Sequence, residues 1–275
     1  FGIWPETYAW VYEKGWLTQF IEGVLASPLI RTGTFEDFHA ANRTRGIVYL
    51  PTASYIEMNE WTLPAQQAQR VDAASWREVG AMGLLLCAVP ETYGGSGGTF
   101  AHDCIVFEEL AYAGVMSSGK HVHNICAHYV LAYGTEAQKR RWLPGMATGD
   151  VLACIAMTEP SAGSDLQNIK TTARRDGAVY VINGQKVYIT NAQGADVIVL
   201  ACKTDPNQKA KGISLILVET DRPGFRRGRL LKKIGYKASD TSELFFDDVR
   251  VPVTNLLGQE GRGFSGDPRV PHRAD

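Results

Sequence analysis

The chain has 275 residues, 45% hydrophobic and 21% charged, with a formal net charge of -1 at pH 7. That length buries one large core or two modest ones, and the composition is ordinary for a globular protein. So even a charge balance gives no long-range field for nucleic acid or an anionic membrane, which favours a small-molecule enzyme over a DNA-binding protein.

The five cysteines, Cys87, Cys104, Cys126, Cys154 and Cys202, are odd in number and form no Cys-x-x-Cys pair. They predict neither a zinc site nor a redox dithiol, and they fit a reducing compartment. His121, His123 and His128 stand two and five apart, so they do not share a helical face and read as structural or surface histidines. No metal site is expected. No apolar run reaches the roughly 18 to 20 residues that span a bilayer, and residues 16–25, interrupted by Thr18, Gln19, Glu22 and Gly23, predict an amphipathic helix ending near Pro28.

Residues 71–149 carry helical signals. The first helix is predicted over 73–86, where Trp76, Val79, Met82 and Leu86 make one apolar stripe. The glycine-rich loop 93–98 ends it. A second helix is predicted from near His102 to Ala113, and a third over 122–133, stopped by Gly134. A fourth opens at Thr135 as a capping box with Gln138 and carries Lys139, Arg140 and Arg141 on an exposed face before Pro144.

After Asp150 the pattern changes to alternation. Residues 179–182 and 186–190 flank Asn183-Gly184, a dipeptide suited to the positive φ angles of a tight hairpin. Further strands are predicted over 197–203, 213–219 and 243–251. The fold class is therefore α+β, an all-helical N-terminal domain (1–150) followed by an antiparallel β-barrel or sandwich domain (151–258). The run Arg226-Arg-Gly-Arg229 with Lys232 and Lys233 reads as a solvated face, Glu108 and Glu109 as helix surface.

One ten-residue stretch concentrates chemistry: Ala156-Met-Thr-Glu-Pro-Ser-Ala-Gly-Ser-Asp165. Gly163 allows close approach of a ligand to the backbone, Thr158 and Ser164 offer hydroxyls, and Pro160 fixes the bend. On these residues alone a structural turn and a ligand-binding loop stay equally open, and Tyr188 and Thr190 alternate as ordinary strand positions do.

This stretch resembles the signature of the FAD-dependent acyl-CoA dehydrogenases, and the likeness runs from Tyr93 to Phe264, nearest to the long-chain branch through residues 211–215 and 231–252. The resemblance implies FAD as cofactor, an acyl-CoA substrate, electron-transfer flavoprotein as electron acceptor, a homotetramer, and a bacterial cytoplasmic or mitochondrial matrix location. It implies that Ile155, Ala156, Met157, Thr158, Glu159, Pro160, Ser161, Ala162, Gly163 and Ser164 line the flavin, with Thr158 at its pyrimidine edge. Ser164 also meets the substrate's CoA moiety. Tyr188, Ile189 and Thr190 form a second flavin strip, with tyrosine where the family usually has tryptophan. Lys211 stands where long-chain members contact substrate.

The resemblance places the glutamate that removes the α-proton beyond Phe264, so no catalytic residue is expected here, and Glu260 is a poor substitute base. The likeness lapses over 1–30 and 39–69, and again in the polar tail from Ser265, where Pro268 and Pro271 replace a helix; residues 259–275 are read as a truncated, aberrant tail. These stretches are read as frame-damaged, the C-terminal four-helix domain as missing, and the chain as an inactive fragment. The resemblance leaves two competing functions: a flavin monooxygenase or nitroalkane oxidase of the same fold, and a non-catalytic acyl-CoA or partner-binding module.

Overall fold

The computed structural model describes residues 68–112 and 119–263. The chain divides into Phe1–Val48 and Tyr49–Asp275, and all described residues belong to the second unit. The expectations for the helix over 16–25, the divergent segment 39–67 and the tail after residue 263 fall outside the described residues.

Four helices come first. Helix α1, Ala73–Ala81, is capped by Asp72, whose carboxylate accepts from the Ser75 N–H at 2.9 Å. It is shorter than the apolar spacing predicts: Gly83 at φ 71° stops it, Met82 is exposed, and Leu86 reaches the core from the following loop. That loop folds back on itself, Gly95 approaching Val89 so closely that a Cβ would sit 2.1 Å from its carbonyl oxygen. Helix α2 spans Phe100–Tyr112 and α3 spans Lys120–Tyr133, closed at Gly134 as expected. Buried Asp103 of α2 joins the two by accepting from Lys120 at 3.1 Å and Asn124 at 2.8 Å.

Helix α4, Glu136–Thr148, opens with the predicted Thr135–Gln138 capping box. It runs through Pro144, since burial of Leu143, Met146 and Ala147 on the core side outweighs the missing backbone donor. Among the described residues no helix is long and apolar enough to cross a membrane.

The strands follow: β1 Ala153–Ala156, β2 Thr172–Asp176, β3 Val179–Thr190, β4 Val197–Lys203, β5 Ile213–Glu219, β6 Phe225–Leu230, β7 Thr241–Pro252 and β8 Leu256–Leu257. They form one sheet in the order β6-β7-β3-β2-β4-β5-β8, with β1 beside β4. Two pairings correct the antiparallel expectation. Strand β1 runs parallel to β4, Ala153 opposite Val197, and β2 meets β4 in parallel at Thr172 and Lys203. A mixed sheet results because the connection from β1 to β4 is long enough to return the chain in the same direction.

Strand β4 is buried on both faces. Val197, Val199 and Ala201 pack with Val122, Val130, Leu143 and Met146 of the helices, while Ile198, Leu200 and Cys202 join Ile182, Leu244, Phe246 and Val251 in a core enclosed by the sheet itself. Two cores thus share the β1–β4–β5 wall.

The Asn183-Gly184 hairpin is absent: β3 passes straight through it. The hairpin instead joins β2 to β3 around Gly177 at φ 58°. Gly184 serves a different need, because a Cβ there would lie 2.4 Å from Thr171 Oγ1 and 2.6 Å from its Cα, and the pairing with β7 shifts register at this point.

Candidate functional site

The loop after β1 and the second half of β3 lie side by side, since the Val187 N–H donates to the Thr158 carbonyl at 3.0 Å. Glu159 and Ala162 exchange both backbone hydrogen bonds, at 2.9 and 3.1 Å, which closes the loop around Pro160-Ser161. Ser161, Gly163 and Ser164 are exposed, Thr158, Met157 and Ile155 half-buried. Ala156, Ala162 and Glu159 face the interior, so these three offer a ligand backbone rather than side chain.

Gly163 is instructive. Its φ lies outside the left-handed region, and a Cβ placed there would meet nothing within 4 Å. Nothing within the described chain requires glycine at this position, whereas a ligand pressed against the backbone would.

Strand β3 carries the second distortion. The register against β7 jumps between Lys186, opposite Leu244, and Ile189, opposite Ser242, so one residue is inserted. Tyr188 is that bulge, at φ 58°. Strict alternation would put Tyr188 on the same side as Lys186, which is fully buried; the bulge turns it outward to 69% exposure and sends Ile189 into the core instead. A non-glycine residue in the left-handed region is strained, and such strain concentrates where a side chain is aimed at a ligand.

Thr190 lies two residues further on, in the wall of a cavity of about 600 Å³ with Phe107, Leu110 and Ala111 of α2, His121 of α3, and Lys233, Tyr236, Ser239 and Thr241. Glu108 also lines it, so a residue read from sequence as plain helix surface borders the cavity. Lys233 donates to Thr241 Oγ1 at 2.9 Å and to the Ser239 carbonyl, which fixes the loop before β7. Sequence reasoning placed Lys233 on a solvated face and missed Ser239 and Thr241, because only the fold brings that loop to Thr190. A second, apolar cavity of about 230 Å³ lies between Tyr129, Met157, Leu166, Ile169, Ala201, Ile213, Leu215 and Gly263.

Lys211, expected to contact substrate, and Glu260, set aside as a base, stand apart from both cavities. Lys211 is exposed in the turn Ala210–Gly212 and lines neither cavity. Glu260 accepts from the Tyr180 hydroxyl at 2.9 Å, while burial pushes the tyrosine up to about 12 and the carboxylate adds to that. The basic run is partly structural: Arg227 donates to the carbonyls of Ala192 and Ala195, and Arg229 pairs with Glu243. Among the described residues no group of three or more histidine, cysteine or acidic side chains could hold a metal ion.

Known proteins match this arrangement over most of the described chain. Residues 53–150 match the family described as acyl-CoA dehydrogenase, N-terminal domain, and residues 154–249 its middle domain. The mitochondrial long-chain specific acyl-CoA dehydrogenase of Sus scrofa is 44% identical over 208 residues, 74% of this chain and 47% of that protein. The chain thus spans about half the length of the curated relatives it matches. The crystal structure of an acyl-CoA dehydrogenase from Geobacillus kaustophilus superposes with a TM-score of 0.71 at 47% identity, covering 85% of this chain and 61% of that one. An acyl-CoA dehydrogenase from Bacillus anthracis complexed with FAD gives 0.65 at 35% identity, covering 83% and 36%. With both domain signatures in sequence order on the matching fold, the chain belongs to the acyl-CoA dehydrogenase family.

Proposed function

We propose that the chain is the helical and β portion of an FAD-dependent enzyme that introduces a trans-2 double bond into an acyl-CoA. The observation that carries this reading is Tyr188, an exposed aromatic held in strained backbone by a β-bulge beside the loop 157–164. A flat, apolar ring system would cover its face.

The residues present fit a flavin nucleotide. Thr158, Ser164, Tyr188 and Thr190 would hold it, with backbone from the rest of residues 155–164 and from Ile189. Open space at Gly163 leaves room for its phosphates. When bound, the flavin supplies the hydride acceptor that no side chain can provide. The cavity beside Thr190, walled by Phe107, Leu110 and Ala111, suits an acyl chain. Ser164 reaches toward the CoA moiety, and Lys211 is a further substrate contact in this reading.

The likeness to the Sus scrofa enzyme favours a long acyl chain. The proposal extends, on the family resemblance alone, to electron-transfer flavoprotein as acceptor, a homotetramer, and a bacterial cytoplasmic or mitochondrial matrix setting. In this reading the boundary between the N-terminal domain and the β domain falls at residues 150 and 151, and the β domain ends at 258. No residue of this chain is assigned as the base, since Glu260 is bonded to Tyr180.

The test is to incubate the purified chain with FAD, remove free cofactor, and record the visible spectrum before and after anaerobic addition of a long-chain acyl-CoA. Retained flavin that bleaches supports the full reading. Retained flavin that stays oxidised supports flavin binding and removes turnover by this chain, while a colourless protein overturns both.

A further inference from the structure

Beneath the loop, Lys186 of β3 and Glu159 are buried together, their side chains 0% and 3% exposed, with Nζ 2.9 Å from Oε1. We propose that this pair is a positioning device, which sets residues 158–164 and 188–190 relative to one another and so shapes the flavin site; it rests on the flavin reading above.

Stability alone is a poor reason for the pair. Taking two charges out of water costs several kcal/mol per ion, and apolar replacements of similar volume are often neutral or better. What an ion pair adds is direction, and the bonds here are directional. Lys186 Nζ donates to Glu159 and, at 2.8 Å, to the Met157 carbonyl, so it ties down the residues on both sides of Thr158. Val187, its neighbour in β3, holds the Thr158 carbonyl itself.

Glu159 completes the frame. Its carboxylate also accepts from the backbone N–H groups of Lys170 and Thr171, the latter at 3.0 Å, while its own backbone closes the loop onto Ala162. Burial pushes this carboxyl up, and the bonds from Thr171, Lys186 and Lys170 outweigh that and hold it below its ordinary value. Met157 and Glu159 are thereby bonded to Lys186 directly, and Ala162 through the Glu159 backbone. Two residues along the same strand, the bulge presents Tyr188. A shift of the lysine therefore moves Thr158 against Tyr188, although neither charged group need touch the cofactor.

The test uses the whole chain loaded with FAD and the double variant Glu159→Gln/Lys186→Met, which removes both charges at similar volume. Three readouts are taken: FAD affinity by flavin fluorescence quenching, visible circular dichroism of the bound flavin, and urea unfolding. The expected result is an unfolding midpoint near wild type, FAD binding weakened about tenfold or more, and altered flavin dichroism. A double variant with wild-type affinity and dichroism overturns the inference.

Should the double variant fail to fold, Lys186→Met alone, which leaves the Glu159 carboxylate its two backbone N–H donors, is read the same way. Weakened binding in the folded variant supports the proposal and unchanged binding overturns it. If the wild-type chain takes up no FAD, the flavin reading fails and this inference with it; wild-type binding with indifferent variants sinks this inference alone.

Discussion

The side-chain amide of Asn191 donates to the carbonyl of Gly119 at 2.9 Å, and Gly119, at φ 76°, comes so close that a Cβ on it would lie 2.0 Å from Asn191 Oδ1. This contact joins the residue before α3 to the residue after Thr190, and Asn191 also donates weakly to the Ala153 carbonyl at 3.4 Å. Gly119→Ala is expected to cost about 3 kcal/mol, from the left-handed backbone and the clash together. Asn191→Gly removes the clashing amide while tolerating the φ of 66° at that position. Urea unfolding of both singles and the double is therefore expected to show less than additive loss; strict additivity would mean that the two residues do not constrain each other.

A pH dependence follows from His123. It is fully buried, with Nε2 2.9 Å from the Met146 carbonyl and Nδ1 accepting from the Ala153 N–H at 3.3 Å, so the neutral tautomer protonated at Nε2 satisfies both partners. Burial lowers its pKa from 6.5 to about 4. Between those values the unfolded chain binds a proton that the folded chain does not. Stability from this group is complete above about pH 6.5 and falls as the pH drops toward 4, by up to about 3 kcal/mol. Comparing urea midpoints at pH 7.5 and 4.5, the wild type should lose more than His123→Gln. An equal loss in both would show that the histidine is not the group responsible.

The sequence was most readable where structure is local. The Thr135–Gln138 capping box, the strands at 197–203 and 213–219 and the end of α3 at Gly134 depend on neighbours within a few residues, and each is found where it was expected. Asn183-Gly184 misled because its glycine answers a tertiary demand, the approach of Thr171, which a local pattern cannot distinguish from a turn. The loop 155–164 is conspicuous through its residue types, which leave a structural turn and a ligand loop equally open, and the family likeness favours the second. The bulge at Tyr188 was not legible, since Lys186, Tyr188 and Thr190 alternate with Val187 and Ile189 as in a regular strand. Nor was the burial of Lys186, whose partner lies 27 residues away. The cavity beside Thr190 needed the fold itself to gather α2, α3 and the loop before β7.

Gly163 offers a separation of folding from binding. With open space around the site of a Cβ and no left-handed φ, Gly163→Ala is expected to change unfolding free energy by no more than about 0.5 kcal/mol. The same methyl group would stand where a cofactor meets the backbone, so FAD affinity should fall about tenfold. Gly95→Ala provides the contrast, since its Cβ would collide with the Val89 carbonyl, and it should unfold the loop 93–98 regardless of ligand. Unchanged FAD binding in Gly163→Ala would remove Gly163 from the site.

Tyr188 should show the opposite signs for stability and binding. Its side chain is 69% exposed and its φ is 58°, so the folded chain gains little from the ring and carries the cost of the left-handed backbone. Tyr188→Gly relieves that strain and is expected to raise stability by about 1 kcal/mol, set against the extra freedom glycine gives the unfolded chain. Flavin affinity should fall about tenfold with the loss of the aromatic face, and Tyr188→Trp, with a larger face, should bind at least as tightly as wild type. Parallel urea melts and flavin fluorescence titrations on the two variants decide the matter. A stabilised glycine variant with undiminished flavin binding would leave the bulge with no ligand to serve, and would move the cofactor away from β3.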